Sequence, residues 1–140
     1  VKTSDIEREA RTWLGTPYRH QARVKGVGVD CAGVPEMTLL ALGFAPDYVP
    51  QRDYARDPNS GRMRKLLDQY LISVPKAEMQ QGDIGWFAWA NEPQHLGVIT
   101  SRGTVIHSYG SVGKVVEVGL VGSLLRRMRR VYRVPGVEVG

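Results

Sequence analysis

The hydrophobic period of this chain changes once, at Gln81-Gly82-Asp83, and that change limits the possible folds more than any other feature. Ahead of it, apolar residues recur at helical spacing. Ile6, Ala10, Trp13 and Leu14 share one face. Ser4-Asp5-Ile6-Glu7 has a capping-box pattern, a hydroxyl followed three residues on by an acid. The spacing predicts a helix from about Asp5 to Leu14, stopped by Gly15. Val34, Met37, Thr38, Leu40, Ala41 and Leu42 predict a second helix that is apolar nearly all round and therefore buried. Asp30 is placed to cap it and Gly43 to end it. Pro35, in the second turn, removes the amide that would bond the Cys31 carbonyl, so either a local distortion is expected or a carbonyl satisfied by something else. Met63, Leu66, Leu67, Tyr70 and Leu71 predict a third helix from about Gly61 to Ile72. Phe44 to Gly61, punctuated by Pro46, Pro50 and Pro58, reads as a long irregular connection.

Behind the change come short runs rich in β-branched and aromatic residues: Ile84 to Trp89, Leu96 to Thr100, Thr104 to Tyr109 and Lys114 to Val118. Asn91-Glu92-Pro93, Arg102-Gly103 and Gly110-Ser111 separate them as turns. Leu124 to Arg130 reads as a short basic helix and Val131 to Val134 as a last strand. Helices first and an antiparallel meander after make an α+β fold. The 140 residues fit one domain, 1–140, long enough to bury a sizeable core. No apolar run approaches the roughly 18 residues of a membrane span.

Net charge is +5, and much of the excess sits late, in Arg126, Arg127, Arg129, Arg130 and Arg133. A basic surface suits nucleic acid or an anionic wall polymer, or is simply the solvated face of a helix. Basic residues are not interleaved with aromatics in the RNA-binding manner, so nucleic acid is not an expected partner.

The chemistry points to Gly26-Val27-Gly28-Val29-Asp30-Cys31-Ala32-Gly33, which holds the only cysteine. A single thiol forms no internal disulfide and no cysteine-rich metal site. Most lone cysteines are small buried hydrophobes. One at a helix start, however, has unpaired amides and the helix dipole to favour its thiolate. Asp30 opposes that charge, so it must turn away or have another task.

A base is also needed, and the chain has three histidines: His20, His95 and His107. His20 lies in a polar loop and is expected to be exposed. His95 and His107 bracket a hairpin. A three-residue turn, Ser101-Arg102-Gly103, with glycine in the left-handed position, sets Thr100 opposite Thr104 and Gly97 opposite His107. His95 is then a diagonal neighbour of His107 on the same face, whereas a two-residue turn flips His107 away. Gly97 leaves room over His107. In this register His95 takes the thiol proton and His107 orients it. The Cys31 amide and the Tyr18 hydroxyl are candidate oxyanion donors. The same residues allow another arrangement, a zinc site with Cys31 as third ligand, although no tight H-x-x-x-H pair is present.

Gly15-Thr16-Pro17-Tyr18, Asp30-Cys31-Ala32-Gly33, Gly82-Asp83, His95-Leu96-Gly97-Val98 and Ile106-His107, in this order, resemble the NlpC-type cell-wall cysteine peptidases. The closest look is to the branch encoded by phages and gene-transfer particles, where an arginine-rich segment precedes a final strand. The resemblance runs from the first helix to Val134. It implies a compact papain-like α+β fold with N-terminal helices packed on a C-terminal antiparallel sheet. It implies hydrolysis of amide bonds in peptidoglycan stem peptides, typically between D-γ-glutamate and a diamino acid. It assigns Cys31 as nucleophile, His95 as base, His107 as orienting residue, Tyr18 as a cleft residue and Asp30 as a substrate-amine contact. It implies neither metal nor organic cofactor. Ala32 stands where the family commonly has serine, and Pro35 where the helix is usually uninterrupted; both departures also fit a tail component with little activity. Val1-Lys2-Thr3-Ser4-Asp5 carries no signal-peptide pattern. Together with the resemblance, this leads to the expectation of a protein at a virion tail tip, beside tail-tip or hub proteins.

Overall fold

A computed structural model describes residues 1–44, 62–89 and 92–140. In chain order the elements are α1 (Thr3–Arg11), β1 (Arg23–Val24), β2 (Gly28–Val29), α2 (Gly33–Ala41), α3 (Arg62–Tyr70), β3 (Ile72–Val74), β4 (Ile84–Trp89), β5 (Glu92–Ile99), β6 (Thr104–Tyr109), β7 (Lys114–Gly119), α4 (Gly122–Arg127) and β8 (Met128–Arg133). Strands β3 to β8 form a six-stranded sheet in the order β3-β8-β4-β5-β6-β7, antiparallel throughout. The α+β architecture expected from the change of period is the one observed.

Alternation along the strands gives the sheet two buried faces. Ile84, Leu96, Val98, Ile106 and Tyr132 pack with Ile6, Ala10 and Trp13 of the N-terminal segment and with Val34 and Leu39 of α2. Phe87, Ile99, Val105, Met128 and Val131 close the other face with Leu120 and the half-buried Leu124 and Leu125 of α4. Among the described residues no helix is long and apolar enough to cross a membrane.

The departures from expectation have physical causes. α1 starts at Thr3, ahead of the expected Ser4 cap, because Asp5 Oδ2 accepts the Lys2 N–H at 2.9 Å. Glu7, expected to close the capping box, is instead buried and accepts the Ser101 N–H at 2.7 Å and the Gln81 side-chain amide at 2.9 Å. It ties α1 to the turn between β5 and β6. Pro35 causes no distortion, since α2 begins at Gly33 and the proline lies in the first turn, where amides have no helical partner anyway. The segment read as a loop from Arg19 to Val29 contains the β1–β2 ribbon. β3 is an edge strand on β8 in a stretch read as the end of the third helix. β5 begins at Glu92 and absorbs the expected turn, and β8 begins at Met128, shortening the basic helix to Gly122–Arg127. Beyond Phe44, the expected irregular connection lies outside the described residues, as does Asn91.

Glu7→Ala is expected to cost about 2–3 kcal/mol in urea unfolding, since it strands buried donors. Glu7 also contributes to acid stability. Its burial favours the neutral form, but the bonds from Ser101, Arg11 and Gln81 outweigh that and hold its carboxyl below the ordinary value of 4.5. The bidentate Arg11 pair and the Thr104 hydroxyl lower Glu117 to about 2. Both carboxylates stabilise the fold fully above the unfolded value, and the contribution is lost as pH falls through the lowered folded values. Unfolding midpoints of wild type and Glu117→Gln should therefore converge on acidification.

Candidate active site

The β5–β6 hairpin positions the two histidines. Its turn has the predicted three residues, with Gly103 in the left-handed region at φ +69°. Val98 pairs with Ile106 and Ile99 with Val105, and the Thr100 N–H donates to Thr104 O at 3.0 Å. This is the register that puts Gly97 opposite His107. A Cβ on Gly97 would lie 2.5 Å from Val105 Cγ2 and 3.2 Å from His107 Cβ, so only glycine leaves the space. His95 Nε2 and His107 Nδ1 are 2.6 Å apart, and the rings meet nearly edge-on at 83°. The two nitrogens bond each other rather than converge on a common point. Among the described residues no group of three or more His, Cys, Asp or Glu could hold a metal ion, so the zinc arrangement is not found.

His107 is 2% exposed and His95 0%. Burial, reinforced by the neighbouring His95, lowers His107 to about 3, so it is a neutral imidazole at ordinary pH. Aromatic rings surround the pair. Trp89 approaches His95 edge-on at 5.0 Å, Tyr109 stacks on His107 at 5.4 Å, and Phe87 meets His95 at 6.1 Å. A register shift in β4 between Phe87 and Trp89 lies beside this box.

The thiol meets β5 one residue before His95. Cys31 sits in the turn leading into α2, and its Sγ is 3.5 Å from the carbonyl of Gln94, the residue before His95. Two residues before the cysteine, Val29 is anchored three times. The Val29 N–H donates to Pro17 O at 3.0 Å, and its carbonyl accepts from Arg19 N–H at 3.2 Å and from Ser108 Oγ at 2.8 Å. Thus β6 carries His107 and, one residue on, the hydroxyl that holds the cysteine segment. Tyr18 is half-buried, bridged through its backbone to Val29, with its ring beside Gly110 at the end of β6.

Asp30 does cap α2, through the Gly33 N–H at 2.9 Å. It is also the residue that the resemblance implies as a substrate-amine contact. The residue is buried, and its oxygens accept bonds from Gln21 N–H and Arg23 as well. His20 is exposed, as expected. The sequence reading did not include Trp89, Tyr109 and Ser108 in the site. The two-residue period was the available signal, because Tyr109 shares the His107 face and Ser108 takes the opposite one.

The chain matches no family model and no curated protein. Solved structures do match it. An NlpC/P60 family protein from Bacillus cereus covers 96% of this chain with a TM-score of 0.70 at 20% identity, and the matched part is 40% of that protein. The peptidoglycan hydrolase RipB from Mycobacterium tuberculosis covers 94% with a TM-score of 0.61 at 25% identity, over 63% of its own chain. RipD from the same organism, a non-catalytic NlpC/p60 domain protein adapted to peptidoglycan binding, covers 94% at 0.63 and 16% identity, over 96% of its chain. This chain thus spans less than two thirds of the first two proteins. Its fold is that of NlpC/p60 domains, as the motifs implied.

Gly97→Ala should lower thermal stability by about 1–3 kcal/mol through overpacking against Val105, with loss of the imidazole contact seen by NMR. The unfolded state takes up a proton near 6.5, whereas folded His107 resists until about 3. The stability tied to a neutral His107 is therefore complete above the unfolded value and falls as pH drops below it. Replacing His107 by Gln should flatten that part of the stability–pH curve.

Proposed function

We propose that this chain is a cysteine endopeptidase that hydrolyses amide bonds in peptidoglycan stem peptides. One observation carries the reading: a helix-start thiol held against the residue before His95, with His95 locked to a buried neutral His107. The NlpC/p60 fold, shared with a named peptidoglycan hydrolase, supports the substrate class. His95 Nε2 faces His107, so Nδ1 is the nitrogen that takes the Cys31 proton. The thiolate attacks the carbonyl carbon. The amide nitrogen leaves with the proton from His95, and water then cleaves the acyl-enzyme with His95 as base. His107 accepts from the Nε2–H and keeps the ring in one orientation without adding a charge. The Cys31 amide and the Tyr18 hydroxyl are the proposed oxyanion donors.

The scissile bond proposed from the motif resemblance is that between D-γ-glutamate and a diamino acid, with Ala32 altering the preference set by serine in relatives. The same resemblance, with the arginine-rich stretch that runs from α4 into β8, supports a place at a phage tail tip, beside tail-tip or hub proteins, where local wall opening aids genome entry. A second reading is a tail component that keeps the fold with little activity. The enclosed histidines favour it, as does the fold likeness to the non-catalytic RipD.

Purified protein incubated with peptidoglycan should release new amino and carboxyl ends detectable by mass spectrometry. Cys31→Ala should abolish release, and His95→Ala should slow it by about 10²–10⁴-fold. Equal release by wild type and Cys31→Ala would sink the mechanism. Binding without release by the wild type would favour the second reading.

A further inference from the structure

A buried charge cluster lies directly beneath the nucleophile segment. Arg23, at the start of β1, is 6% exposed in its side chain, and its partners Asp30 and Glu36 are 3% and 10% exposed. Arg23 Nη1 is 2.8 Å from Asp30 Oδ1, and Arg23 Nε is 2.8 Å from Glu36 Oε1 on α2. Asp30 also accepts the Gln21 N–H at 2.8 Å and the Gly33 N–H at 2.9 Å. Two local costs are accepted to build it. Among the described residues Gln21 is the one non-glycine with positive φ, at 60°, a region that side chains rarely adopt. Position 33 must be glycine, since a Cβ there would lie 2.9 Å from Arg23 Nη1, 3.0 Å from its Cδ and 2.5 Å from Val29 Cγ2.

A carboxylate adjacent in sequence to a thiol disfavours the thiolate, and low dielectric around a buried pair strengthens the penalty. We propose that Arg23 is a positioning residue for the nucleophile, neutralising Asp30 and holding it against the Gly33 amide so that Cys31 can carry a negative charge. The clamp leaves Asp30 able to cap α2 without acting as a bare anion beside the sulfur. Glu36, the other carboxylate of the cluster, is answered by the same guanidinium. The inference rests on the reading of Cys31 as a nucleophile.

The chain has a single cysteine, so its alkylation rate by iodoacetamide against pH reports Cys31 alone. Arg23→Gln should raise the midpoint by about one pH unit, read below both midpoints as a roughly tenfold slower reaction. Arg23→Lys should keep most of the wild-type profile, and Arg23→Gln/Asp30→Asn should recover it, which a purely structural role of Arg23 does not predict. A folded Arg23→Gln with the wild-type midpoint overturns the inference while leaving the nucleophile reading intact. A wild-type midpoint at the ordinary thiol value overturns both. If Arg23→Gln does not fold, Asp30→Asn, which keeps the guanidinium and removes the anion, decides the matter in the same assay: a lowered midpoint supports the clamp and an unchanged one refutes it.

Discussion

The left-handed turn at Gly103 sets which face of the sheet each residue of β5 and β6 occupies. Side chains alternate along a strand, so a slip of one residue would send His107 toward the helices and Ser108 toward the aromatic box. Both the histidine pair and the anchor for the cysteine segment would be lost together. Glu7 reinforces the register from outside the sheet by accepting the Ser101 N–H within the turn. The site therefore depends on a bond between the first helix and a turn far along the chain, as well as on residues near the thiol.

Several polar groups are buried here in bonded sets. The histidine pair, the Arg23 cluster and the Glu7 set each place donors against acceptors with little solvent. Such sets weigh heavily once assembled, because removing one member strands the others in low dielectric. A neutral His107 suits this setting. A carboxylate in its place would need its own counter-charge among Trp89, Tyr109 and Phe87, whereas an imidazole orients His95 at less desolvation cost.

Much of this was legible in the residues. The change of period gave the architecture, β4 and β6 fall within their predicted bounds, and Gly97 and Gly103 pointed to the register that joins the imidazoles. Contacts between segments distant in the chain were not legible. Ile72-Ser73-Val74 is too short to declare a strand and becomes one only because β8 supplies a partner. Arg23 reads as a polar loop residue until Asp30 and Glu36 fold around it. The Ser4 capping box was a sound local pattern, but Glu7 makes a better set of bonds with Ser101, Gln81 and Arg11 than with its own helix start.

The isolation of the thiol has a redox consequence. Cys31 is the only cysteine in these 140 residues, so a sulfenate formed there has no internal thiol with which to close a disulfide. The carbonyl of Gln94 lies against the sulfur and the residue is only 7% exposed, which limits how fast an oxidant arrives. Protection of this sulfur is thus by enclosure, and its repair after oxidation falls to thiols supplied from solution.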